Sequence, residues 1–255
     1  MDAWFGLLGP TIQKYNITEE HTWGTDEIGV NTAEGRKERV MGSRKPGPQY
    51  QQREGTKENI TVIITVCADG TSTPPAVVFK GKGYQTKWKQ DNPGWMNGAN
   101  VKDGGYRLLL VDGHNSHYTR GFLQYAHEHQ IIVLCYPAHC THILQGLDVV
   151  VFATVKRCLC EERDKWEHST GERFSKTNFL GIYGRAHLQA LTPDNIKALF
   201  RKTGVWPFDP TVITPAMMAP SKETSCEGFL PIALATPLPR VDSSLPMGQV
   251  DYLRP

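Results

Sequence analysis

Four consecutive apolar residues, Leu108-Leu-Leu-Val111, run into Asp112-Gly113 and a polar stretch to His117. A short unbroken apolar run bounded by turn residues reads as a buried strand inside a parallel sheet. Ile131-Ile-Val-Leu-Cys135, closed by Pro137, reads as a second buried strand. Between them, Thr119 to His129 sets Phe122, Tyr125 and Ala126 on one face of a short helix with Thr119 as its cap. Strand, helix and strand then form a right-handed unit.

Upstream, Thr22 to Val30 alternates loosely, with Asp26 and Glu27 at its centre. Asn59 to Cys67 is rich in β-branched residues, and Ala68-Asp-Gly70 separates it from Pro75 to Phe79. This predicts three antiparallel strands ahead of the parallel pair. Trp4, Leu8, Ile12 and Tyr15 mark a short amphipathic helix that Pro10 is expected to delay or kink. Phe152, Val155, Leu159 and Trp166 place a longer helix across 149–166, with Arg157, Glu161, Glu162 and Arg163 off its apolar stripe. Two further helices are predicted near Phe179 to Leu191 and Pro193 to Lys202, the latter capped by Thr192.

Other stretches lack such order. Residues 36–57 hold seven basic side chains, Arg36, Lys37, Arg39, Arg44, Lys45, Arg53 and Lys57, around Lys45-Pro-Gly-Pro48, which predicts a basic loop. Residues 80–105 contain Lys80, Lys82, Lys87 and Lys89 and no sustained helical period. A crossover into a parallel strand normally needs a helix there, so that helix is expected to be incomplete. Nine of the 17 prolines lie from Pro207 onward. The expected division is therefore a domain over 1–210 and an extended or disordered Pro-rich tail over 211–255.

Composition narrows the classes. Among 255 residues, 39% hydrophobic and 21% charged content is ordinary for a globular α/β protein. A formal net charge of +2 does not by itself indicate a nucleic-acid partner, which must rest on local clusters. Six irregularly spaced cysteines without a secretory pattern point to a reduced intracellular compartment. No apolar run approaches the ~20 residues of a membrane span.

Three aspartates occupy informative places: Asp26 within a strand, Asp112 at a strand end, and Asp148 at a helix start. Burying Asp26 and Glu27 calls for positive charge nearby, either a metal or a basic side chain. Converging carboxylates suit magnesium, a hard cation that takes oxygen ligands. Cys135, His139, Cys140 and His142 invite zinc, but their spacing fits no standard zinc pattern.

Three blocks carry a resemblance: Thr22-Trp-Gly-Thr-Asp26-Glu27-Ile-Gly29, Leu109-Leu-Val-Asp112-Gly-His-Asn-Ser-His117, and Tyr136-Pro-Ala-His-Cys-Thr-His142-Ile-Leu-Gln-Gly-Leu-Asp148-Val149. Ile196 to Pro210 closes the set. Together they resemble the DDE superfamily endonuclease domain in the pogo and Tigger-like branch of the mariner superfamily of transposases. The resemblance implies an α/β, ribonuclease H-like mixed sheet flanked by helices. It implies Asp26, Asp112 and Asp148 as catalytic metal ligands for Mg2+ or Mn2+, and DNA as the partner.

The expected DNA contacts are Arg36, Lys37, Arg39, Arg44, Lys45, Lys80, Lys82, His114 and His117. The expected location is the nucleus, and a homo-oligomer stays open. The alternative is a transposase-derived protein that grips DNA or chromatin without cutting; a two-carboxylate hydrolase acting on glycosides is more remote. The sequence departs from the family pattern at Gly146, where proline is usual, and at Val150, where glycine is usual. A side chain at a position of close backbone approach is expected to displace Asp148.

Overall fold

A computed structural model describes residues 2–32, 59–81, 104–113, 119–137, 140–214 and 217. Its centre is a five-stranded sheet in the order β3-β2-β1-β4-β5. The strands are β1 (Thr22–Asn31), β2 (Asn59–Cys67), β3 (Ala76–Phe79), β4 (Arg107–Val111) and β5 (Ile131–Cys135). β1, β2 and β3 pair antiparallel, whereas β4 runs parallel to both β1 and β5. This is a mixed sheet flanked by helices, three antiparallel strands followed by parallel ones, as the resemblance implied.

One sheet face carries the core. Ile28 and Val30 of β1, Ile60, Val62, Ile64 and Val66 of β2, and Leu108 and Leu110 of β4 are buried together at the two-residue spacing of strands. Helix α1 (Asp2–Lys14) brings Trp4, Phe5 and Leu8 to this core. It runs from Asp2 through Pro10 to Lys14, so it does not start late at the proline. Burial of its apolar face offsets the backbone hydrogen bond that proline cannot make.

Helix α2 (Arg120–Glu128) is capped by Thr119, whose Oγ1 accepts from the Phe122 N–H at 3.4 Å. Of the three residues assigned to its inner face, Ala126 is buried, whereas Tyr125 is exposed and stacks on His129 at a ring distance of 3.9 Å. β5, expected as a buried strand, is half-buried along its whole length. It ends the strand order of the sheet, so only β4 flanks it.

The polar stretch after β5 forms a short helix α3 (Thr141–Leu144) and then a π-helical turn, Leu147–Val151. Helix α4 follows as Phe152–Thr170 and ends at Gly171, whose φ of 70° is the left-handed cap that glycine adopts freely. The wide turn coincides with the β-branched run Val149 to Val151, which crowds a regular helix. Helices α5 (Phe179–Ala190) and α6 (Pro193–Lys202) complete the layer. The Thr192 hydroxyl caps α6 by accepting from the Asn195 N–H at 3.3 Å.

Glu162 and Arg163, placed by periodicity off the apolar stripe, are both buried. The reason is tertiary: α4 packs along α5, and Glu162 faces Arg185 and Gln189 of that helix. The basic loop at 36–57 lies outside the described residues, as do nearly all of the 80–105 stretch between Gly81 and Gly104 and the tail beyond Met217.

Candidate functional site

The last pairs between β1 and β4 are Trp23 with Leu109 and Gly24 with Leu110. Two residues further along each strand come Asp26 and Asp112. In a parallel register these positions are level and share a face, because side chains repeat every second residue. That face is the core face, which Leu110 and Ile28 mark on either strand. Local sequence and topology thus deliver two carboxylates side by side.

Asp26 is 8% exposed, and its Oδ1 accepts the Glu27 N–H at 2.7 Å. Glu27 is exposed, as expected of the next residue on a strand, so only one of the acidic pair is buried. Burial pushes the Asp26 carboxyl up, opposed by the Glu27 N–H and by the Gln145 side chain. The charges of Asp148 and Asp112 add to burial, and the result is about 7.

Asp148 lies in the π-helical turn and is exposed. Its carboxyl is also raised, first by desolvation and then by Asp112, while Lys156 on α4 pulls it back. Asp112 is half-buried just past the end of β4. The three aspartates therefore form one electrostatic unit drawn from two neighbouring strands and a helix start.

This unit combines a buried, a half-buried and an exposed carboxylate. Among the described residues, no three His, Cys, Asp or Glu side chains stand close enough to hold a metal ion between them. Magnesium does not demand such a cage, since it keeps several waters and takes one or two carboxylates. The donor chemistry, all carboxylate oxygen with mutual repulsion that a cation would relieve, fits a hard divalent ion.

Of the expected DNA contacts, Arg36, Lys37, Arg39, Arg44, Lys45, Lys82, His114 and His117 lie outside the described residues. Lys80 is exposed just past β3, with β2 between that strand and β1, and its carbonyl accepts from Lys176 Nζ at 3.0 Å.

Three neighbours escaped sequence reasoning. Gln145 is buried and acts to lower the Asp26 carboxyl, Lys156 acts on Asp148, and Tyr136 is buried and feels the Asp26 charge. Burial and then the Asp26 charge raise the Tyr136 hydroxyl. Gln145 carried one usable signal: it precedes Asp148 by three residues, a spacing that puts side chains on one helical face.

Comparison with known proteins locates these features. The chain is 26% identical over 226 residues to a protein named MFS-type transporter clz9 from Cochliobolus lunatus; the match covers 78% of the chain and 25% of that protein. The chain thus spans about a quarter of the length of this relative. Among the described residues, no helix is long and apolar enough to cross a membrane.

Among solved structures, the Mos1 mariner paired end complex with Mn aligns at a TM-score of 0.46 and 11% identity, covering 81% of this chain and 61% of that one. The Mos1 paired-end complex with the left transposon end aligns at 0.45 and 13%, covering 80% and 61%. The catalytic domain of Mos1 mariner transposase aligns at 0.38 and 12%, covering 80% and 91%. Residues 94–200, which contain Asp112 and Asp148 and reach into α6, match the family model of the DDE superfamily endonuclease.

Proposed function

We propose that this chain is a transposase-derived endonuclease and strand-transfer domain of the pogo and Tigger-like kind, acting on DNA with magnesium or manganese. The observation that carries the reading is the level placement of Asp26 and Asp112 on adjacent parallel strands, with Asp148 in electrostatic contact with both. Ligands meet open α/β sheets beyond the carboxyl ends of parallel strands, which is where Asp112 stands. The family match over 94–200 supports two members of the trio.

In this reading Asp26, Asp112 and Asp148 are the metal ligands. When bound, the divalent ions supply positive charge to the attacking and leaving oxygens of an in-line phosphoryl displacement. The protein's own contribution is placement. The Glu27 N–H fixes one oxygen of the Asp26 carboxyl, and the sheet register fixes Asp26 against Asp112. Arg36, Lys37, Arg39, Arg44, Lys45, Lys80, Lys82, His114 and His117 are proposed to hold the phosphate backbone, and the nucleus is the compartment that such a substrate implies.

The test is nicking of supercoiled plasmid by the purified chain. Cleavage that requires Mg2+ or Mn2+ and disappears in Asp26→Asn, Asp112→Asn and Asp148→Asn is the expected result. DNA binding that all three variants retain, with no cleavage by the wild type under either metal, overturns the catalytic reading and leaves a DNA-binding module.

A further inference from the structure

The two edges of the sheet are built differently. β3 is four residues long, follows Pro74-Pro75 and ends at exposed Lys80, devices that keep an edge strand from pairing further. β5 has none of them. Ile131-Ile-Val-Leu-Cys135 holds neither a charge nor a proline, and each of its residues is half-buried. β4 alone pairs with it.

Backbone direction shows what the β5 edge offers. The Gln130 carbonyl accepts the Arg107 N–H at 2.9 Å, and the Tyr136 N–H donates to the Val111 carbonyl at 3.0 Å. Along a parallel ladder, successive residues alternate in the side to which their backbone groups turn. The even-numbered residues from Gln130 to Tyr136 therefore face β4, and Val133 turns its N–H and C=O outward. Among the described residues, no backbone partner meets Val133 on that side.

We propose that β5 is a self-association edge: it pairs antiparallel with β5 of a second copy of this chain, centred on Val133, to make one sheet continuous across a two-fold axis. Two-fold pairing sets each residue against itself or its symmetry mate, so any charge in the strand would be doubled across the interface. Five apolar residues meet that requirement. At the centre, the outward N–H and C=O of Val133 in each copy match those of the other. The axis stands across the sheet, so the α2 helices, which pack on β5, come to the same face in both copies. Exposed Tyr125 and half-buried Leu123 of α2 supply apolar surface there beyond the strands themselves. Neither metal nor DNA is needed for this pairing.

The experiment is sedimentation equilibrium of the full chain over a wide concentration range, with hydrogen exchange of the Val133 and Leu134 amides followed by NMR at the same concentrations. Wild type is expected to reach twice the mass of one chain. Val133 is expected to exchange more slowly as dimer accumulates, whereas Leu134, whose N–H faces β4, changes little. Val133→Pro removes an N–H that β4 does not use, so it is expected to melt cooperatively. It should dimerise at least about thirtyfold more weakly, because one hydrogen bond is lost from each copy.

A chain that stays monomeric throughout overturns the pairing. In that case a protected Val133 amide would show that another segment of the same chain lies on the edge, and an unprotected one would leave the edge to a different protein. A dimer that forms equally well with Val133→Pro, or in which Val133 exchange ignores concentration, also overturns it and puts the interface elsewhere. Should Val133→Pro fail to fold, exchange of Val133 against Leu134 in the wild type decides by itself.

Discussion

Gly146 lies against Leu199 so closely that a Cβ built on it would stand 2.7 Å from Leu199 Cδ1 and 3.1 Å from the Leu199 carbonyl oxygen. The contact joins the segment two residues before Asp148 to helix α6. In this chain α6 occupies the space that a side chain at position 146 would need. Val150, which also departs from the family pattern, is half-buried and packs against the core.

Gly146→Ala is therefore expected to destabilise the chain by about 1–3 kcal/mol, the usual cost of overpacking a filled site. The neighbour at 3.1 Å is backbone, so relief requires α6 to shift as a unit. Urea denaturation of wild type and variant measures the loss. A midpoint equal to that of wild type would mean that α6 is not seated on this residue.

Gly204 makes a second backbone prediction. Its φ of 68° is left-handed, and a Cβ there would run into the Asp209 carbonyl oxygen. Its own carbonyl accepts the Asp209 N–H at 3.0 Å, so the turn that returns the chain toward α1 depends on this conformation. Gly204→Ala should cost more than the ~1 kcal/mol that left-handed geometry alone imposes, because collision adds to it. The expected readout is a lower denaturation midpoint, together with increased proteolysis after Phe208, whose ring packs edge-on against Phe5 at 6.0 Å.

Much of this fold is visible in the sequence because strands announce themselves locally. The β-branched run at 59–67 and the apolar run before Asp112 needed no tertiary information. Glu162 and Arg163 did need it: nothing in the α4 period reveals that α5 will cover that side and bring donors with it. Tyr125 shows the converse, an aromatic on the right helical face that the fold leaves in solvent. In the candidate site, Asp26 and Asp112 are legible because strand ends and strand register follow from pattern. Gln145 is not, because a buried amide and a loop amide look the same until β1 is placed beside it.

Glu162 predicts an acid limit to stability. Its Oε1 accepts Lys165 Nζ at 2.6 Å and Gln189 Nε2 at 2.9 Å, and its Oε2 accepts Arg185 Nε at 2.9 Å. Burial alone would raise this carboxyl, but the three donors outweigh it and hold it at about 2, against 4.5 ordinarily. A depressed carboxyl contributes stability that is complete above the ordinary value and is lost as pH falls from about 4.5 toward 2. Glu162→Gln is expected to cost about 2 kcal/mol at neutral pH, the scale of a hydrogen bond to a charged group. It should also flatten the loss of stability across that acid window. A variant with the wild-type acid profile would remove Glu162 as its source.

His187 sets a separate and milder window. The ring is 2% exposed within α5, and its Nδ1 lies 3.3 Å from the Tyr183 hydroxyl. Burial pushes it down to about 4 from 6.5, so the fold favours the neutral imidazole. Stability from this residue is complete above pH 6.5 and is lost as pH falls toward 4, below which no more is lost. By linkage the full effect is about 3 kcal/mol. The buried Asp26 carboxyl, pushed up to about 7, bends stability the opposite way over much of the same range. The readout is therefore the difference between wild type and His187→Gln, which keeps a hydrogen-bonding partner for Tyr183 and cannot titrate. Urea midpoints measured from pH 7.5 to 4.5 should converge or cross as the wild type loses its advantage. Parallel curves would show that His187 does not resist protonation in the folded chain.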